Sequence, residues 1–97
     1  MTTIKEKFQQ DSTFSQISHE LVGSTVKHYC AGLKVSGKVV AAFENVKYKG
    51  TRDAHIVLIT EHEGVRWGDY VYTSTSLWVH EDGRSDRFEV VELVNEA

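Results

Sequence analysis

The chain has 97 residues, a mass of 11.0 kDa and a formal net charge of −3, enough for one domain that buries about 60–65% of the surface its unfolded chain exposes. Its 40% apolar, 26% charged and 10% aromatic residues match an ordinary globular protein and exclude disorder, a collagen-like chain and a long coiled coil. No apolar run approaches the roughly 18–20 residues of a membrane span, the N-terminus lacks the apolar core of a signal peptide, and the lone Cys30 excludes an internal disulfide or a thiolate-rich zinc site, so a cytoplasmic protein is expected.

Residues 1–33 are expected to be the helical part and residues 34–94 an antiparallel β part. Thr2 or Thr3 can cap a first short helix carrying Ile4 and Phe8 one turn apart. Asp11-Ser12-Thr13 offers a second cap, followed by Phe14, Ile17 and Leu21 at helical spacing and Gly23 as a stop. The two apolar sets do not share one stripe, so a break near residues 10–13 is predicted. Residues 24–33 fit two patterns. Val26, Tyr29, Cys30 and Leu33 suit a helix closed by Gly32, the preferred reading, and they also suit a strand running into a turn at Gly32.

Beyond Leu33 the period changes. Lys38–Val46 reads as a strand, Lys47–Asp53 as a polar loop and Ala54–Glu61 as a strand covered on both faces, because Ile56, Val57, Leu58 and Ile59 are consecutive. Gly64 is read as a turn. Asp69–Ser74 and Ser76–Glu81 are read as two strands, with the hydroxyl-rich Thr73-Ser74-Thr75-Ser76 as a strand end and turn. Asp82-Gly83 is a hairpin signal, and Arg87–Val94 is the last strand. Short connections demand antiparallel pairing. The expected fold is α+β: one or two short N-terminal helices followed by about five antiparallel strands in a curled sheet or small barrel.

Charge divides the chain unevenly. Residues 1–33 are neutral, 34–52 carry +4 and 53–97 carry −7. An acidic longer half disfavours broad contact with phosphate backbones. Strand alternation from Asp69 onward places Val71, Leu77 and Val79 on one face and Tyr70, Tyr72, Trp78 and His80 on the other, with Trp67 just upstream. Either the N-terminal helices cover those rings, or part of that face is wet. In the second case Trp67, Tyr70, Tyr72, Trp78 and His80, rimmed by Asp69 and Glu81, have the anchor-and-rim composition of a protein interface. Stacking of nucleic-acid bases needs a basic surround, and Asp69, Glu81 and Asp82 outnumber Arg66 there.

Chemistry-bearing patterns are sparse. His28 and Cys30 have no third orienting group nearby. His19, His28, His55, His62 and His80 form none of the usual metal-ligand spacings, and no glycine-rich phosphate loop occurs. No catalytic residue, metal or cofactor is therefore expected. An enzyme or small-ligand binder would require a deep pocket lined by histidine and Cys30. The basic loop Lys47-Tyr48-Lys49-Gly50-Thr51-Arg52 supports an alternative, a nucleic-acid-binding regulator using Lys38, Lys47, Tyr48, Lys49 and Arg52.

The string Gly68-Asp69-Tyr70-Val71-Tyr72-Thr73-Ser74, with Leu77-Trp78-Val79 and the closing Arg87-Phe88-Glu89-Val90-Val91, resembles the strand ends of small SH3-like barrel proteins encoded by tailed bacteriophages, over about residues 35–93. The resemblance implies a small accessory protein that binds and inhibits or redirects a host or defence protein complex. A basic partner surface suits the acidic half. A homodimer through an edge such as Arg87–Val94 is a further expectation.

Overall fold

The computed structural model describes residues 3–9, 14–44, 56–80, 82–87 and 89–95. Two short helices, α1 (Ile4–Gln9) and α2 (Phe14–Leu21), precede five strands: β1 (Thr25–Cys30), β2 (Leu33–Glu44), β3 (Ile56–Trp67), β4 (Tyr70–Val79) and β5 (Glu92–Asn95). The Thr3 hydroxyl caps α1 by accepting the Glu6 N–H at 3.1 Å, the spacing that Thr-x-x-Glu provides. Gly23 ends α2 with φ 91°, and the Ser24 N–H returns to the Leu21 carbonyl at 3.0 Å. The Asp11-Ser12-Thr13 cap lies outside the described residues. Lys7 bridges the helices by pairing with Glu20 at 3.2 Å, its own side chain nearly buried.

All strand pairs are antiparallel, in the order β4-β3-β2-β1-β5. The sheet is not closed into a barrel: β4 and β5 are its two edges. Its inner face carries Val26, Val39, Ile56, Leu58, Leu77, Val79 and Leu93, which pack with Ile4, Ile17, Leu21 and Val91 into one core.

Residues 24–33 are not helical. Val26 and His28 are buried while Thr25, Lys27 and Tyr29 are more exposed, the two-residue period of a strand. Gly32 does not cap a helix; with Ala31 it forms the two-residue turn into β2, at φ 48° and 81°, the positive-φ pair that such a hairpin requires. The helical part thus ends at Leu21 instead of residue 33.

Gly64 is not a turn either. It lies inside β3, where the register shifts between Glu61 and Val65, a bulge of the kind that glycine marks. The reversal comes at Gly68-Asp69, with Gly68 at φ 62°, so Asp69 belongs to a turn. From Tyr70 to Val79 one strand runs unbroken through Thr73-Ser74-Thr75-Ser76, which is neither a strand end nor a turn.

Asp82-Gly83 does reverse the chain, with the His80 N–H donating to the Arg84 carbonyl at 2.8 Å. Yet the returning run touches β4 at one bridge, Val79 to Ser85. Arg87–Val94 is not a single strand. After a turn closed by Ser85 N–H to Glu89 O, Val90 makes a single bridge to Arg84, and among the described residues of this stretch a strand forms only at Glu92–Asn95, which joins β1.

Candidate functional site

Ladder partners share a face of the sheet, which fixes what the two ends of β4 meet. At the lower end Val79 and Leu77 pair with Ile56 and Leu58, and all four are buried. At the upper end Tyr70 and Tyr72 pair with Trp67 and Val65. There the strand stands clear of the core, and every β4 side chain from Tyr70 to Ser74 is exposed. Val71, expected on the covered face with Leu77 and Val79, is 63% exposed.

The helices pack against the face opposite Trp78, so they do not cover the rings. Trp67 is 63%, Tyr70 68% and Tyr72 42% exposed. The Tyr70 and Tyr72 rings lie 6.5 Å apart at a 32° tilt. Trp78 is half-buried, and Asp69 is exposed in the turn. His80 acts locally, with its Nε2 2.9 Å from Asp86 Oδ1, a contact that holds the turn after β4. Glu81 lies outside the described residues. So do Lys47, Tyr48, Lys49 and Arg52 of the basic set; Lys38 is exposed on β2 opposite Glu61.

Trp67, Tyr72 and Trp78 line an open cleft of about 870 Å³, and so do Tyr29–Gly32 at the β1–β2 turn, with Arg87 and Glu89. This cleft follows the seam where the sheet stays open. The pattern of single strands did not reveal it, because its walls are distant in sequence and meet only through the curl of the sheet.

His28 and Cys30 also line the cleft, as a small-ligand site would need. His28, however, is fully engaged. It is 1% exposed, and its Nδ1 lies 3.3 Å from the Tyr29 carbonyl. A carbonyl only accepts, so Nδ1 carries the proton. In the neutral ring Nε2 then lies 3.0 Å from the Thr60 hydroxyl, whose one proton is shared with the Thr75 carbonyl at 3.4 Å. Burial lowers the His28 pKa below its ordinary value; the bond to Tyr29 opposes this and the neighbouring His62 adds to it. His62 stands edge-on at 5.6 Å and is held by the Glu63 carbonyl and the Thr75 hydroxyl. Gly37 lies beneath this cluster, where a Cβ would come within 2.5 Å of His28 Nε2. Among the described residues no group of three or more histidine, cysteine or acidic side chains is placed to hold a metal ion, and no helix is long and apolar enough to cross a membrane.

Comparison of the chain with protein-family models, with curated proteins and with solved structures yields no match.

Proposed function

We propose that this protein is a small binding module that docks on another protein through the aromatic end of the β3–β4 hairpin and acts by occupying that partner's surface. The observation that carries the reading is the wet cluster of Trp67, Tyr70 and Tyr72. Large rings left in water supply contact area, and they dominate interface energetics when covered. Around them Glu61, Glu63 and Asp69 are exposed or partly exposed against Arg66, so the rim complements a basic partner and steers its approach. The resemblance to phage SH3-like accessory proteins makes a bacterial host or defence complex the partner to test first, with inhibition or redirection as the outcome.

The test is affinity capture from bacterial lysate with the wild-type protein and a Trp67→Ala/Tyr70→Ala variant. Both rings are mostly exposed, so the variant keeps its thermal midpoint. The reading predicts a protein retained by wild type, released by salt and lost with the variant. Equal retention by both, or retention of nucleic acid instead of protein, contradicts it.

A further inference from the structure

We propose that the seam cleft is a strand-addition site: an extended, basic segment of the partner enters it and pairs, backbone to backbone, with the outer edge of β4. This rests on the docking reading above and specifies how the partner is held.

The first ground is the direction of β4's backbone groups. In an antiparallel ladder successive residues turn their N–H and C=O alternately to one side and the other. The His80 N–H points away from β3, to the Arg84 carbonyl, and Val79 bridges Ser85 on that side. Ser76 lies an even number of residues before His80 and so also turns its N–H and C=O outward. Among the described residues the ladder on this side stops at the Val79 bridge, because the chain turns away between Ser85 and Glu89. The Ser76 amide and carbonyl therefore face the cleft that Ser76 lines.

The second ground is what β4 lacks. Sheet edges are ordinarily protected by charged side chains, proline, bulges or short length. β4 runs ten residues, Tyr-Val-Tyr-Thr-Ser-Thr-Ser-Leu-Trp-Val, with no charge, proline or glycine. The bulge in the hairpin sits on β3, and it leaves β4 continuous. Such an edge is a template for another extended chain.

The third ground selects the occupant. Tyr29–Gly32 also line the cleft, and the outer edge of β4 offers a template for one added strand. Along the cleft the charges of Asp86, Arg87 and Glu89 leave one net negative charge, and the residues after 52 are acidic overall. A segment with lysine or arginine is favoured over an acidic one. Alternation along β4 puts Tyr72 and Trp78 on one side, where they line the cleft, and the buried Leu77 on the other, so the segment is apolar at every second position, where it meets the rings.

The experiment pans a library of random 12-residue linear peptides on the full-length protein and titrates the enriched sequences, made synthetically, by fluorescence. Peptides with alternating apolar residues and a net positive charge are expected. Ser76→Pro, which removes the outward N–H and places a ring on the edge, weakens them at least tenfold, while Ser76→Ala leaves them within twofold. Methylating alternate backbone nitrogens of the peptide provides a check that leaves the protein untouched: one register abolishes binding and the other is tolerated. No enriched peptide, equal binding by Ser76→Pro, or indifference to backbone methylation overturns the proposal. So does a wild-type dimer in sedimentation that Ser76→Pro converts to monomer, since a second copy then holds the edge. The docking reading fails separately, on the Trp67→Ala/Tyr70→Ala capture.

Discussion

The two halves of the β3–β4 ladder use the same strands and the same pairing, and they end in different environments. In the half that joins Ile56–Thr60 to Thr75–Val79, alternate side chains vanish into the core. In the half that joins Val65–Trp67 to Tyr70–Tyr72, Val65 is buried and the other five are exposed. Helix α2 packs on β2, and the core that Ile4, Ile17, Leu21, Val91 and Leu93 complete takes in Ile56, Leu58, Leu77 and Val79 but no residue of the upper half of the hairpin. The cover ends before the hairpin does. A strand pair that outruns its cover presents rings and a backbone edge to whatever approaches, and this is the surface that the proposed docking would use.

The largest test of the comparison is truncation in the covered half. Leu58→Ala, at a fully buried position, is expected to cost about 2–5 kcal/mol in chemical denaturation. Val71→Ala, in the uncovered half, is expected to stay within about 0.5 kcal/mol. A comparable loss at both sites would mean that the hairpin end is packed in solution.

Next comes Gly37→Ala, which drives a methyl group into His28 and Thr60. A loss of about 1–3 kcal/mol is expected, because Thr60, at 0% exposure, has little room to yield.

A smaller effect is the pH dependence of the same cluster. His28 titrates lower in the folded chain than in the unfolded one, so below about pH 6.5 the unfolded state binds more protons. The His28 contribution to stability is complete above that value and declines as pH falls toward the lowered folded pKa. Thermal midpoints of the wild type should drop between about pH 7.5 and about pH 5.5 more steeply than those of His28→Gln. Equal slopes would remove His28 as the cause. The smallest effect is on stability in Trp67→Ala/Tyr70→Ala, expected within a few tenths of a kcal/mol per site.

Legibility in the sequence followed the range of the interactions. The first helix cap at Thr3, the end of α2 at Gly23 and the interior position of β3 are local, and the residues announce them; the consecutive Ile56–Ile59 point to cover on both faces, whereas Val57 and Ile59 are only half-buried. A strand turning at Gly32 is one of the two patterns residues 24–33 fit, but the helical spacing of Val26, Tyr29 and Cys30 favours the wrong one, and alanine is an unusual residue at the positive φ the hairpin needs. Alternation along β4 was readable as a period, and it correctly separated Trp78 from Leu77 and Val79. It could not tell where the cover stops, which is why Val71 was expected inside. The split of β4 at Thr75 failed for a related reason: hydroxyl residues resemble a turn until Thr60 and His62 are seen to meet them across the sheet. The cleft depends on the curl of the whole sheet and on residues about forty to sixty positions apart, so no local pattern carried it.

The proposed mode of binding requires β4 to be an open margin of the sheet. Amide hydrogen exchange followed by NMR measures this directly at two neighbours. Leu77, paired with Leu58, turns its N–H toward β3 by the same alternation that turns Ser76 outward. A strongly protected Leu77 amide is expected beside a fast Ser76 amide that slows when a selected peptide binds. A Ser76 amide as protected as Leu77 in the protein alone would contradict an open edge.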